Sequence, residues 1–152
     1  MSGDETPDIV DIGALSRTIP IFPLSGVLLL PRGLLPLNIF EPRYLAMTRD
    51  AVAGSKLIGM IQPTQARSRE SKPDVYRIGC VGEIASAAET EDGRILITLR
   101  GLCRFAVERE LGIDTLYRQV GGDYARFAPD APYEAVDAGI GNLVDAALAK
   151  ES

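Results

Sequence analysis

The first apolar stretch of the chain, between residues 18 and 40, is divided into short runs by prolines. Apolar residues dominate positions 19–24, 27–30 and 34–40, and each run contains a proline or ends beside one. A proline cannot donate a hydrogen bond to a β-ladder, so it belongs on an edge, at a strand start or at a bulge. Short strands with such breaks are typical of a small barrel rather than of a flat sheet.

Apolar positions at helical spacing follow from Pro42 onward, and they predict one helix inserted among the strands. Proline is favoured at the first position of a helix, and Gly54 stands where this helix would end. The predicted apolar stripe consists of Tyr44, Met47, Ala51 and Val52. After the helix, residues 56–62 predict a further strand, and residues 64–74 predict a polar loop that is locally basic.

The dipeptide Asp92-Gly93 predicts a β-hairpin, because it is favoured in two-residue turns between antiparallel strands. A tight turn pairs even positions of the first strand with odd positions of the second. The apolar residues at even positions 76–84 and at odd positions 95–107 then share one face of the hairpin. In this register Cys80 and Cys103 are diagonal neighbours on that inner face. We expect buried, inert thiols there, and a redox role is the alternative.

The two ends of the chain are predicted to lie outside the barrel. Residues 1–16 are polar and acidic, which predicts a flexible tail. Residues 17–127 are assigned to the barrel, with its last strand at 116–127, and residues 128–152 to a linker and the start of a helical region. From Pro132 an apolar stripe at helical spacing predicts a C-terminal helix. The stripe consists of Val136, Ile140, Leu143, Val144 and Ala147.

Composition indicates one ordinary globular domain and narrows its partners. The chain has 152 residues, of which 46% are hydrophobic and 24% are charged, so it can bury a core without metal or disulfide. A net charge of −5 disfavours nucleic acid as a partner, because phosphate binding requires a positive field. The acidic N-terminus lacks the features of a signal peptide, and the longest apolar run is too short to cross a bilayer. We therefore expect a cytoplasmic protein that does not contact membranes.

The sequence lacks several residue types and motifs on which common enzyme sites are built. It contains no histidine, which excludes Ser-His-Asp and Cys-His arrangements and removes the commonest metal ligand. It has no phosphate-binding loop of the Gly-x-x-x-x-Gly-Lys-Ser/Thr type, and its two cysteines do not have the spacing of a zinc site. We predict that the chain has no catalytic residues, no metal and no cofactor, and that it is not an enzyme.

Three segments together carry a resemblance to a known family. They are IPIFPL at residues 19–24, FEPRY at 40–44 and GLCRF at 101–105. In this order and spacing they resemble the N-terminal, substrate-binding domain of Lon proteases, including standalone bacterial Lon-N-like proteins, over residues 17–127. The resemblance implies a PUA-like pseudo-barrel of about six strands with one inserted helix, followed by a helical region. It also implies a module that recognises unfolded or flexible polypeptide, or a protease partner.

Seven residues are candidates for binding, and each has a structural alternative. Glu41, Arg43 and Tyr44 form either a simple helix start or the polar rim of a binding groove. Arg67 and Arg69 belong either to a solvated loop or to a docking patch for an acidic partner. Leu29 and Leu34 either pack in the core or form part of an exposed contact patch.

Two other functions remain open at this point. PUA-like barrels elsewhere bind RNA, although the acidic balance and the aromatic content of 6% disfavour that function here. The chain could also be a structural module that forms homo-oligomers through the stripe of its C-terminal helix.

Overall fold

Six strands and one α-helix form most of the part of the chain that the computed structural model describes, residues 15–65 and 72–130. In chain order the elements are β1 (Thr18–Pro23), β2 (Leu34–Ile39), α1 (Pro42–Ala53), β3 (Leu57–Ile61), β4 (Ile78–Glu89), β5 (Ile95–Glu110), β6 (Gln119–Asp123) and a 3-10 turn (Ala125–Asp130). This mainly β architecture with one inserted helix confirms the predicted fold class. Residues 1–14 of the predicted tail, and the C-terminal helix predicted from Pro132, lie outside the described residues.

The six strands form one sheet that closes on itself through β5. The strand order is β2-β5-β4-β3-β1-β6, and β5 also pairs with β6. Five strands therefore complete a ring, while β2 extends from it as a sixth. Residues 95–100 of β5 pair with β2 and residues 106–110 pair with β6, so the two halves of this long strand serve different neighbours. The paired strands are antiparallel except β1 and β3, which run parallel.

The buried apolar side chains form two clusters. The first, which we call the inner core, receives side chains from all five strands of the ring and fills its interior. The inner core consists of Ile19, Ile21, Leu57, Ile61, Val81, Leu102, Cys103, Phe105, Val107, Val120 and Tyr124. The second, the outer core, lies between the outside of the ring, β2, α1 and the segment after β1. The outer core consists of Phe22, Val27, Leu29, Leu35, Leu37, Ile39, Tyr44, Met47, Ala51, Ile58, Met60, Cys80, Ile84, Ile95, Ile97, Leu99 and Tyr117.

Helix α1 begins at Pro42 and is followed by Gly54, as predicted. Its buried residues are Tyr44, Met47, Thr48 and Ala51. The stripe therefore differs from the prediction at one position, because Val52 is exposed and Thr48 is buried in its place. A polar side chain is tolerated at this position because the Thr48 hydroxyl donates a hydrogen bond to the Tyr44 carbonyl at 2.8 Å.

Two of the predicted strands differ from those observed. Residues 27–30 form an irregular segment rather than a strand, bracketed by Gly26 and Arg32, whose φ angles of 80° and 71° turn the chain. Strand β6 covers Gln119–Asp123 rather than 116–127, because the chain then enters the 3-10 turn. The strand predicted at 56–62 is confirmed as β3, which is buried throughout because its alternate residues enter both cores.

The hairpin lies at the predicted place, but its turn has three residues instead of two. The Thr90 amide donates to the Arg94 carbonyl at 2.9 Å, so these two residues close a loop of residues 91–93. Within that loop only Gly93 has a left-handed φ, at 88°, whereas the predicted turn type needs a positive φ at Asp92 as well. The observed geometry is typical of three-residue hairpin loops with a glycine at the last position.

Two β-bulges set the register beyond this turn. Ala85 is the extra residue on β4 and Leu102 the extra residue on β5. A bulge inverts the alternation of side chains, so the odd positions of β5 face the outer core before Leu102 and the inner core after it. The predicted register is therefore wrong. Cys80 lies in the outer core and Cys103 in the inner core, on opposite faces of the sheet, and both are buried thiols.

Candidate functional site

An open groove of about 520 Å³ lies on the outside of the ring, where β3, β4 and β5 pass beneath the segment that follows β1. We call it the apolar groove. It is lined by Val27, Leu28, Leu29, Leu30, Pro31, Met60, Ile61, Gln62, Tyr76, Ile78, Gly79, Cys80 and Arg104. Its volume falls within the range of about 300–1,000 Å³ that is usual for ligand sites.

Backbone hydrogen bonds hold the segment of residues 24–33 that forms one wall of the groove. At its start the Leu24 amide donates to the Ile61 carbonyl at 3.0 Å, and at its end the Arg32 amide donates to the Gly101 carbonyl at 2.8 Å. The Gly101 amide in turn donates to the Gly33 carbonyl at 2.8 Å. Only glycine fits at position 101, because a Cβ atom there would lie 2.0 Å from the Leu30 carbonyl oxygen.

Alternation along this wall separates core residues from surface residues. Val27 and Leu29 are buried in the outer core, whereas the Leu28 side chain between them is 56% exposed. On the opposite wall Tyr76 is 55% and Ile78 is 43% exposed. Large apolar side chains that are exposed together around a cavity are typical of an interaction site.

The chemistry of the groove suits apolar contact. Among the described residues that line it, none carries a carboxylate, and the polar side chains are Gln62, Tyr76 and Arg104, beside the buried Cys80 thiol. The Gln62 side-chain amide donates to the Val27 carbonyl at 3.3 Å, and the Arg104 guanidinium stacks on the Phe127 ring at 4.7 Å. Both of these polar groups therefore support the groove structurally.

A second, smaller cavity of about 140 Å³ has a polar lining, and we call it the polar cavity. Its charged side chains are Arg43, Lys72, Glu110 and Arg118. Arg118 and Glu110 form a bidentate ion pair with two N–O distances of 2.9 Å. The hydrogen bonds from Arg118 lower the pKa of the Glu110 carboxyl below its usual value.

Two tyrosines form the wall between the polar cavity and the outer core. The Tyr44 ring stacks on Phe22 with 4.2 Å between centroids, and burial raises the pKa of its hydroxyl. The Tyr117 hydroxyl donates a hydrogen bond of 2.6 Å to the Asp50 carboxylate on α1. Burial, and then this hydrogen bond, raise the pKa of Tyr117 to about 12. Both hydroxyls are therefore protonated donors at neutral pH.

The structure places the predicted site residues in separate locations. Leu29 lines the apolar groove from its buried side. Arg43 and Tyr44 line the polar cavity, and Glu41 forms an ion pair with Arg43 at 3.6 Å. Leu34 lies at the start of β2, 40% exposed, and lines neither site. Arg67 and Arg69 lie outside the described residues.

The sequence prediction missed several lining residues. Tyr76 and Ile78 were expected on the inner face of the hairpin, but both are exposed in the apolar groove. The Tyr76 amide donates to the Gln62 carbonyl at 3.0 Å, so Tyr76 pairs with the chain after β3 before β4 begins. Arg118 in the polar cavity was also missed, because residues as far apart in sequence as Arg43 and Arg118 meet only after the ring has closed.

The described part of the chain contains neither a membrane-spanning helix nor a cluster of metal-binding side chains. No helix in residues 15–65 and 72–130 is long and apolar enough to cross a membrane. Within the same ranges, no group of three or more histidine, cysteine, aspartate or glutamate side chains could hold a metal ion.

Comparison with known proteins points to one family. Residues 18–137 match the family described as the substrate-binding domain of ATP-dependent protease La (Lon). The chain is 30% identical over 104 residues to Lon protease 2 of Myxococcus xanthus, which covers 66% of this chain and 12% of that protein. The chain thus spans about one eighth of the length of the curated relatives that it matches, and the matched family description is of a substrate-binding domain rather than a protease domain.

Solved structures show the same architecture. A Lon N-terminal domain protein from Xanthomonas campestris superposes with a TM-score of 0.55 at 27% identity, covering 70% of this chain and 58% of that one. The N-terminal domain of a Mycobacterium avium complex Lon protease superposes with a TM-score of 0.54, covering 80% of this chain and 58% of that one. The second likeness, at 15% identity, shows a shared fold alone.

Proposed function

The chain belongs to the family of Lon substrate-binding domains, and on that premise we propose that it recognises polypeptide by holding an apolar segment in the apolar groove. The observation that carries this proposal is the pair of walls formed by Leu28 on one side and by Tyr76 and Ile78 on the other. These side chains are exposed although each could contribute about 1.5–3 kcal/mol if it were buried. A ligand that covers them would gain part of that free energy.

Polypeptide is the ligand that fits both the family and the groove. The matched family binds the substrate of a protease, and protease substrates are polypeptides. An unfolded or flexible segment presents apolar side chains that a folded protein would bury. A groove of about 520 Å³ has room for a few such side chains. A protease partner that presents an apolar segment would use the same surface.

The proposed role is recognition without catalysis. The described residues that line the groove offer no carboxylate, and the whole chain has no histidine, so the commonest general acid–base side chains are absent there. The proposal assigns the recognition domain to residues 17–127, where both cavities lie, and places the protein in the cytoplasm. Buried cysteine thiols on opposite faces of the sheet are consistent with that reducing compartment.

A polypeptide ligand is favoured over nucleic acid by the lining of the groove. Among the described lining residues Arg104 is the one cationic side chain, and the chain as a whole carries a net charge of −5. Nucleic acid binding usually requires a basic groove with several aromatic platforms. The homo-oligomer predicted through the C-terminal helix involves residues outside the described ranges.

The test uses a fluorescently labelled model protein that is kept unfolded by reduction and carboxymethylation. We expect saturable binding in fluorescence anisotropy. Leu28→Asp should weaken it at least tenfold, because a carboxylate in an apolar groove resists the desolvation that binding requires. Leu28 is more than half exposed, so this change should leave the free energy of unfolding nearly unchanged.

The matched control is Leu96→Asp, which places the same charge at another exposed leucine outside the groove. We expect it to bind the unfolded protein as the parent does. Equal binding by the parent and by Leu28→Asp would remove the groove from the proposal. If the parent does not bind the unfolded protein at all, the polypeptide proposal itself fails.

A further inference from the structure

The polar cavity concentrates positive charge in an acidic protein. Three of its lining side chains are cationic, Arg43, Lys72 and Arg118, against one carboxylate, Glu110. Arg118 directs its guanidinium to Glu110 and to the Pro73 carbonyl, and Arg43 contacts Glu41 from the edge of the cavity at 3.6 Å. The Glu41 and Asp50 carboxylates lie behind the lining, paired with Arg43 and Tyr117, so among the side chains that line the cavity the cations outnumber the one carboxylate.

The same cavity is lined by the Tyr44 hydroxyl, which makes no hydrogen bond to another of the described residues. Tyr44 lines the cavity, its side chain is only 6% exposed, and its ring is held against Phe22. The hydrogen bonds that involve Tyr44 use its backbone amide and carbonyl, not its hydroxyl. The hydroxyl is protonated at neutral pH and lies near the Arg43 and Arg118 guanidinium groups as well as the Glu41 carboxylate, so it can donate to an anion in the cavity.

The rim of the cavity is apolar. Ile113 and Leu116 line it and are both exposed, Leu116 by 71%. A ligand that fills about 140 Å³ with an anionic group would therefore meet apolar side chains directly beside that group. Inorganic phosphate has no apolar part, whereas a peptide carboxylate next to an apolar side chain matches both features.

We infer that the polar cavity is a second ligand site, which takes a peptide carboxylate next to an apolar side chain through the Tyr44 hydroxyl, Lys72 and Arg43. The carboxylate can come from the C-terminus of a polypeptide or from an aspartate or glutamate side chain. This inference does not depend on the apolar groove, since the two sites have no lining residue in common.

The experiment compares three fluorescein-labelled peptides in anisotropy titrations with the whole chain. The first, Gly-Ser-Gly-Ser-Leu, has a free C-terminus, and the second is its C-terminal amide. The third, Gly-Ser-Gly-Asp-Leu amide, moves the carboxylate to a side chain. We expect the free acid to bind at least tenfold more tightly than the plain amide. The third peptide shows whether a side-chain carboxylate can replace the C-terminal one.

Tyr44→Phe removes the hydroxyl and keeps the ring that stacks on Phe22. We expect it to weaken binding of the free acid about tenfold, because a hydrogen bond to a charged group is lost. Binding of the plain amide should not change, which separates a ligand contact from a structural role. If Tyr44→Phe does not fold, the exposed Lys72 supplies the test, because Lys72→Gln should weaken the free acid and reduce its dependence on salt. Lys56→Gln, which removes the same charge at an exposed position outside the cavity, is the matched control and should change neither.

Three results would overturn the inference. The first is equal binding of the free acid and both amides, which would mean that the carboxylate is not recognised. The second is displacement of the free acid by inorganic phosphate at a comparable concentration, which would make the cavity a general anion site. The third is unchanged binding of the free acid by both Tyr44→Phe and Lys72→Gln, which would place the carboxylate elsewhere on the protein.

Discussion

The inner core and the outer core differ in the way they are closed. The inner core is surrounded by strands that pair with one another all the way round the ring, so strand pairing closes its sides. The outer core has the sheet on one side, but α1 and the irregular segment 24–33 close the other. Loops seldom cover a surface completely, and both the apolar groove and the polar cavity include side chains of the outer core. Both proposed binding sites therefore lie where a core is closed by a loop or helix rather than by strand pairing alone.

The largest expected effect tests whether the inner core supports the whole domain. Phe105→Ala removes a fully buried aromatic side chain from the inner core, so it should lower the free energy of unfolding by about 3–5 kcal/mol. Urea denaturation measures the loss. Phe40→Ala, at an exposed phenylalanine, is the control and should cost less than about 0.5 kcal/mol. A similar small loss for Phe105→Ala would mean that the inner core is not the dominant source of stability.

The next effect tests the connection between β5 and the wall of the apolar groove. Gly101→Ala forces a Cβ atom against the Leu30 carbonyl, so the loop must move, at a cost of about 1–3 kcal/mol. We expect the moved wall to weaken binding of the unfolded model protein as well, which anisotropy would measure. Gly112→Ala has open space around its new methyl group and should change neither quantity. Unaltered binding by Gly101→Ala would show that the groove does not depend on this anchor.

A third effect tests, through pH, the contact that Tyr117 of the outer core makes with α1. The folded protein holds the Tyr117 proton up to a pH of about 12, whereas the unfolded chain releases it near pH 10, so the folded state binds more protons between these values. The stabilisation is complete below pH 10 and is lost as the pH rises through 12, by about 2 kcal/mol. Unfolding titrations at pH 9 to 12 should show a shallower decline for Tyr117→Phe. Identical slopes for parent and variant would contradict the role given to Asp50 and burial.

The smallest effect concerns the strip of sheet between the two bulges. Glu83 and Arg100 lie directly opposite each other there and form an ion pair of 3.0 Å, partly exposed to solvent. Glu83→Gln should therefore lower the free energy of unfolding by less than 1 kcal/mol, and the difference should shrink in 1 M salt. Glu91→Gln in the exposed hairpin loop provides the comparison. A salt-independent loss of several kcal/mol would indicate that this strip is buried more deeply than its exposure suggests.

The features that depend on local sequence could be predicted. Pro42 and Gly54 bound a helix through backbone effects that act within one or two residues. The Asp92-Gly93 dipeptide identified the hairpin, although the number of residues in its turn was wrong. The family and its barrel were predicted from three short segments in a fixed order. The match of residues 18–137 to the Lon substrate-binding domain confirms that resemblance.

The features that depend on two cores at once could not be predicted. A single alternating pattern along β5 looks like one buried face, but Leu102 divides it between the outer and the inner core. Tyr76 and Ile78 fit the same alternation by type, yet both are exposed in the structure. At Tyr76 the chain still pairs with Gln62, because β4 begins only at Ile78. Both sites combine residues that are far apart in sequence. A local sequence pattern cannot predict which distant residues will lie side by side.

The bulge at Leu102 divides β5 into two stretches whose side chains alternate with the same period of two but in opposite phase. Odd positions face the outer core in residues 95–99 and the inner core in residues 103–107. The change of phase occurs within the few residues between these stretches. Inserting or deleting one residue in that interval would cancel the shift and exchange the inward and outward sides of everything beyond it. Inserting or deleting two residues would leave the phase of the alternation on each side unchanged. The parity of this short interval, more than the identity of any one of its side chains, is therefore what keeps the two cores distinct.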